Sequence, residues 1–275
     1  KAADLRKAKE AVNNSIPNTM VMAEMEKPRD TFIKVRGQYD QHGEKVAAGV
    51  PGFLPQIPPR PDGKPLNRLD FAKWLVAKEQ PLTARVTVNR WWAMLFGTGL
   101  VKTLNDFGSQ GEWPSHPELL DWLALRFQEN GGSIKQTLKL LLTSQAFRAR
   151  PGPSKEAAAK DPENKLLSHW SLRRMEAEAI RDSILQVSGQ LDTTAGGPAV
   201  DGGTPRRSVY VRVIRNDPDP MLSVFDAPVP SGTRGKRDVT NVPAQSLALA
   251  NDPFVIGQAK FWAERELKEK PCETD

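Results

Sequence analysis

Apolar positions recur at helical spacing in several separate stretches of the chain, and this pattern predicts a mainly α fold. Between Asn67 and Lys78, Leu69, Ala72, Trp74 and Leu75 fall toward one side, with Asn67 placed to cap. Thr83 is the expected cap of the next helix, with Pro81 just outside it. In that helix Val86, Arg90, Trp91 and Met94 recur at helical spacing, Leu95 and Phe96 extend the apolar side, and Gly97 and Gly99 end it. The neighbours Trp91 and Trp92 point about 100° apart, so only one of them faces a given core. Ser115 and Glu118 form a capping-box pattern ahead of Leu119, Leu120, Trp122, Leu123 and Phe127, the expected buried stripe of a further helix. Ser133 and Gln136 repeat the pattern ahead of Ile134, Leu138, Leu141 and Leu142.

The second half of the chain carries weaker signals. A long amphipathic helix is expected from Met175 to Leu191 on Ile180, Ile184, Val187 and Leu191. Its polar face places Arg174, Glu178, Arg181 and Asp182 at ion-pair spacing, which reads as a salt-bridged surface. Asp161-Pro162 marks a short helical turn, and residues 218–225 mark a short helix. A helix with Pro243 near its start is capped by Thr240 or Asn241. A last one, capped by Asp252, is expected to bury Phe254, Ile256, Phe261 and Trp262. Strict alternation makes Ser208 to Ile214 the best strand candidate, and Thr31 to Val35 is a shorter one closed by Gly37.

Residues 1–15 read as a charged helix, and Met20, Met22 and Met25 as packing residues. Gln41 to Pro61, rich in proline and glycine, reads as an extended connector. The expected division is an upstream end over residues 1–61 and a helical domain over 62–275. Arg150 to Lys160 reads as a mobile low-complexity segment. The glycine-rich run from Thr193 to Arg206 lacks phosphate-loop spacing. The expected fold is mainly α (α+β): a compact helical core with a small antiparallel β element and long ordered loops. Trp74, Trp122, Leu138 and Ile184 are its expected core members.

Composition narrows the function classes. The 275 residues carry a net charge of +6, with a pI near 9.4. Lys and Arg are scattered among acids without a run, so nucleic acid is not an indicated partner. No stretch approaches a membrane span. One cysteine, Cys272, excludes an internal disulfide, a zinc knuckle and a covalently held c-type haem within this chain. The histidines His42, His116 and His169 are far apart in sequence, so no metal site is expected. Seven tryptophans against two tyrosines is an unusual balance; core packing explains most of them, and one or two exposed ones suit stacking on a sugar or another flat ligand.

Candidate chemistry gathers on the loop from Lys102 to Pro114, which has no sustained periodicity and sits between two helices. Asp106, Glu112 and His116 are the catalytic candidates, since two carboxylates and an imidazole can move protons. The blander account makes Asp106 a turn former, Glu112 solvated and His116 a helix-start residue, and it is the commoner one. Arg85, Asn89, Ser109, Gln110 and Trp113 are the ligand-binding candidates. Arg85, Asn89 and Arg90 suit a carboxylate or sulfate, but a buried ion-pair network with Asp106 or Asp182 is the commoner use of such residues.

A resemblance adds to this. TMVMAEMEKPRDTFIKVRGQYDQHGEKVAAGVP resembles the end of a planctomycete cytochrome-associated domain, domain-of-unknown-function number 1549. NRLDFAKWLV, PLTARVTVNRWWAMLFGTGLV, NDFGSQGEWPSHPELLDWLA, KLLLTSQAFR, RRMEAEAIRDSIL and DVTNVPAQSLALANDPF are similar to its partner, number 1553. The resemblance implies a larger exported parent from planctomycetes or related bacteria, of which this chain is a fragment starting at Lys1. It places haem c in an upstream domain or partner and suggests ties to polysaccharide use and an extracytoplasmic location. The parent's upstream domains are the implied partners. In relatives the loop before RDVTNVPAQ often carries a cysteine; here it reads Ser231-Gly232-Thr233.

Two functions follow. In the first, the chain is part of a haem-associated oxidoreductase system acting on saccharide-like substrates, which requires a deep pocket with converging polar groups at the loop. In the second, it is a non-catalytic glycan-binding or envelope scaffolding module, which requires a shallow surface with exposed tryptophan.

Overall fold

A computed structural model describes residues 2–232 and 234–269. Thr233 and Cys272, both singled out by the sequence, lie outside the described residues. Among the described residues there are ten α-helices and one two-stranded sheet, so the mainly α expectation with a small antiparallel element holds. The chain divides into two compact units, Lys1–Thr83 and Ala84–Asp275.

In the first unit, α1 (Ala2–Ser15) is exposed along its whole length. The segment after it exposes Met20, Met22 and Met25, which correct the packing expectation for these side chains. β1 (Thr31–Lys34) pairs antiparallel with β2 (His42–Val46), in register Thr31 to Val46. β2 lies where an extended connector was expected; a tight turn over Val35–Gly37 returns the chain so that the edge of β1 finds a partner. α2 (Arg68–Leu75) begins with a complete capping box. Asn67 Oδ1 accepts from the Asp70 N–H, and the Asp70 carboxylate accepts from the Asn67 N–H. Trp74 is buried here, its indole N–H donating to the Pro55 carbonyl at 2.6 Å.

α3 (Pro81–Phe96) starts three residues earlier than expected. Gln80, not Thr83, supplies the cap: its Oε1 accepts from the N–H groups of Leu82 and Thr83, which the first turn leaves without helical partners. The second unit then builds its first core. Ala84, Val88 and Trp92 make the buried face of α3, while Met94 is exposed. Trp92 takes the core and Trp91 the margin, edge-on to Phe127.

α4 (Pro117–Glu129) and α5 (Ile134–Leu142) complete this core with Leu120, Leu123, Ala124 and Leu141. Trp122, expected inside, is 51% exposed. It lies two residues from Leu120, about 200° round the helix and off the stripe that buries Leu120, Leu123 and Ala124. Leu138 is half-buried. Ser133 caps α5 as expected. Ser115 does not cap α4: His116 is the cap position, the Ser115 N–H donates to the Leu100 carbonyl, its hydroxyl meets His116 Nδ1, and Pro117 at N1 has no N–H to satisfy. Phe147 and Trp170 extend the core at Phe96 as edge-on rings.

The segment expected to be mobile carries α6 (Lys155–Lys160), capped by Ser154. Asp161 closes that helix and accepts from the N–H groups of Lys165 and Leu166, making a turn instead of a new helix.

α7 (Ala177–Ser188) is shorter than its apolar pattern and ends at Gly189, whose φ of 76° suits only glycine without strain. With α8 (Pro220–Val224), α9 (Pro243–Asn251) and α10 (Pro253–Glu269) it forms a second core of Ala177, Val211, Met221, Leu222 and Phe225. Ile184 packs half-buried against this core, and its neighbour Leu185 is fully buried. Asp252 caps α10 as expected, but Ile256, Phe261 and Trp262 are exposed; only Phe254 of that group packs inward. Thr240 and Asn241 do not cap α9.

The expected strand over 208–214 is absent. Ser208–Tyr210 is a 3-10 turn, and single bridges from Val200 to Val211 and from Ile214 to Asp217 are all the pairing it gains. Arg181 explains why. It is not on a salt-bridged surface: it is 1% exposed. Its guanidinium donates to the carbonyls of Gly202, Thr204 and Arg206 and to Ser208 Oγ at 2.6–3.2 Å. Asp182 holds the Ser208 N–H and hydroxyl from the same helix. These contacts bend residues 202–208 around α7 and leave no second strand for the alternating stretch.

Candidate functional site

The loop between α3 and α4 is ordered from within. Asn89, fully buried on α3, donates from Nδ2 to the Val101 carbonyl and accepts the Val101 N–H on Oδ1, at 3.0 and 2.9 Å. One amide side chain thus replaces a ladder partner for a buried residue outside regular structure. Thr103 holds the next layer: its hydroxyl donates to the Asp106 carbonyl and accepts the Glu112 N–H. The Asp106 carboxylate accepts from the Gly108 N–H at 2.8 Å. Gly111 passes so close to the Asp106 carbonyl that an added Cβ would stand 2.3 Å from its oxygen, so only glycine fits. The Ser115 N–H to Leu100 carbonyl bond, 2.8 Å, ties the two ends together.

This internal economy separates the candidate residues. Asp106 and Asn89 are spent on the loop's own backbone. Arg85 pairs with Asp121 of α4, Nε to Oδ1 at 2.6 Å. Ser109 and Gln110 are exposed and stand outside the cavity that Trp113 lines. Glu112, Trp113 and His116 do come together, lining a cavity of about 310 Å³ with Leu100, Lys102, Ser115, Lys165 and Leu166. The Trp113 side chain is 92% exposed, and Leu166 beside it is 74% exposed.

The charged rim was not legible beforehand. Glu163 Oε2 takes the Lys102 ammonium at 3.0 Å and the Lys165 ammonium at 3.3 Å. The hydrogen bond to Glu163 raises the Lys102 pKa; the bonds from Lys102 and then Lys165 hold the Glu163 carboxyl below its ordinary value. Lys102 stood in the sequence at the head of the loop. Lys165 and Leu166 lie about 60 residues away in a segment with no pattern of its own, brought in by the Asp161 turn.

As a set, these groups offer an aromatic face, an aliphatic side chain, two ammonium groups, a carboxylate, a hydroxyl and an imidazole on an open surface. Ser115 Oγ and His116 Nδ1 are 3.0 Å apart. The same contact recurs between Ser168 and His169 at 3.1 Å, so it is a local feature of adjacent residues and not a nucleophile–base pair peculiar to the cavity. Among the described residues no three His, Cys, Asp or Glu side chains gather as a metal site. A second cavity, about 170 Å³, is lined by Asp201, Arg212, Asp217 and Asp219, but Asp201 is paired with Arg212 and Asp219 caps α8.

Residues 67–274 match the family described as PSD1, protein of unknown function (DUF1553). No curated protein and no solved structure matches the chain. The match covers most of the sequence, and the chain belongs to that family.

Proposed function

We propose that this member of the DUF1553 family is a saccharide-binding module of a larger exported bacterial protein, and that the cavity beside Trp113 is where it binds. The observation that carries this reading is the exposure of Trp113. A large indole presented to water next to Leu166 contributes nothing to the core, and adjoining exposed apolar groups rimmed by polar ones mark a binding surface. The apolar face of a sugar ring stacks on such an indole, while Lys102, Glu112, Ser115 and Lys165 supply donors and acceptors for its hydroxyls.

Binding accounts for the site better than catalysis. Glu112 and Ser115 are exposed and Asp106 is committed to Gly108, so the acid–base candidates do not converge in a desolvated pocket. In the wider system this module would hold a polysaccharide in the extracytoplasmic space. Haem c in an upstream domain or partner would serve any redox chemistry on the chain so presented.

Affinity electrophoresis through gels containing soluble polysaccharides tests the reading. The native chain is expected to be retarded by at least one neutral or acidic polysaccharide, and Trp113→Ala to run as it does in a blank gel. Equal retardation of both proteins would overturn it.

A further inference from the structure

Resting on that reading, we infer that the saccharide is acidic, with a uronic-acid carboxylate seated between Lys102 and Lys165. Both ammonium groups meet the same oxygen, Glu163 Oε2. Together they carry six N–H donors, and one carboxylate oxygen accepts only a fraction of them. The two lysines are therefore held side by side at the rim with donors left over. Lys102 and Lys165 also line the cavity that holds Trp113, whereas Glu163 does not.

The opposite demand comes from Glu112. It lines the cavity, and although its charge reaches Lys102 it forms no close ion pair among the described residues, so its oxygens are left to accept from hydroxyl groups. A uronic sugar satisfies all three features at once. Its ring face covers Trp113 and Leu166, its carboxylate meets the lysine pair, and its hydroxyls reach Glu112. A neutral sugar satisfies only the first and last. An amino sugar would bring a third ammonium to the lysines.

Isothermal titration of the native chain separates the inference from the reading beneath it. The probes are oligosaccharides of galacturonate, glucuronate, mannuronate and guluronate, each with its carboxyl-reduced neutral counterpart. At least one acidic oligosaccharide is expected to bind about tenfold more tightly than its reduced form, the gain that two weak exposed ion pairs bring together. Lys102→Met with Lys165→Met should erase that difference, and Lys102→Arg with Lys165→Arg should keep it. The arginine pair also guards against mistaking misfolding for lost recognition. Equal binding of acidic and reduced forms, lost in Trp113→Ala but indifferent to the lysines, would overturn the acidic preference and leave saccharide binding standing. Binding of none of the eight, acidic or neutral, would sink both.

Discussion

Two irregular segments of the second unit are organised by one buried polar side chain each, and they behave in opposite ways. Residues 97–116 are fixed by Asn89 of α3; residues 202–208 are fixed by Arg181 of α7. Asn89 is neutral and spends both hydrogen-bonding ends on one residue, Val101. The loop is anchored at its root, and the bonds of Thr103 and Ser115 hold its far part in a shape that carries Glu112 and Trp113 outward. Arg181 spreads its donors over three carbonyls and a hydroxyl across seven residues, and lies over the Phe254 ring as well. Among the described residues no carboxylate hydrogen-bonds it: Asp182 is 3.7 Å away, and burial presses its pKa down while Asp182 and Asp219 oppose that. A segment clamped along its length can only be structural. A segment anchored at its root and braced by its own residues can display a ligand surface on a rigid base.

The comparison breaks first at Arg181. Arg181→Met removes the partner of three carbonyls and is expected to cost about 3–5 kcal/mol, read as the shift in chemical-denaturation midpoint. A cost near zero would return Arg181 to the surface face that its sequence spacing suggests. Next, Asn89→Ala leaves the buried N–H and carbonyl of Val101 unpaired and should cost about 2–3 kcal/mol. It should also loosen residues 97–116 alone, which hydrogen exchange resolves against an unchanged 202–208.

Acid sharpens the contrast between charged and neutral anchors. Asp226, held by the Thr240 N–H and then by Arg174, has its carboxyl kept below the ordinary value. A depressed carboxylate pKa contributes stability that is present above the unfolded value of about 4 and lost as pH falls through the folded one. Exchange at pH ~3 should therefore open the contacts of Arg174, Asp226 and Thr240, while the Asn89 anchor, which does not titrate, persists. Opening of both regions together would remove the distinction. The smallest effect is the most informative about display: Trp113→Ala should change stability by no more than about 0.5 kcal/mol, as a side chain outside the core does. A large loss on denaturation would make Trp113 part of the packing.

What could be read from the sequence divides along the same line. Caps and stripes are local, so Asn67, Ser133, Asp252 and the helices they start were legible. The cavity's nearer wall was legible too, because Glu112, Trp113 and His116 stand in one long loop with no other evident task. The buried roles of Asn89 and Arg181 were not. Each polar side chain has the spacing of a surface residue on its helix, and its partners lie 12 to 27 residues further on, in segments without periodicity. The stretch from Ser208 to Ile214 alternates like a strand and fails to become one for the same reason: the Arg181 and Asp182 contacts outcompete a sheet that has no second strand. Trp122 misled because a large apolar residue near a stripe is easily counted in it.

The central claim is that Trp113, displayed on an internally anchored loop, is the saccharide platform. The indole N–H signals of the seven tryptophans test it most directly, assigned by single substitutions and followed in two-dimensional NMR while acidic and neutral oligosaccharides are added. The Trp113 signal is expected to move with saturating dependence on the sugar, while those of buried Trp74 and Trp92 stay fixed. Shifts confined to other exposed indoles such as Trp122 or Trp262, or a Trp113 signal unmoved by every sugar, would contradict it.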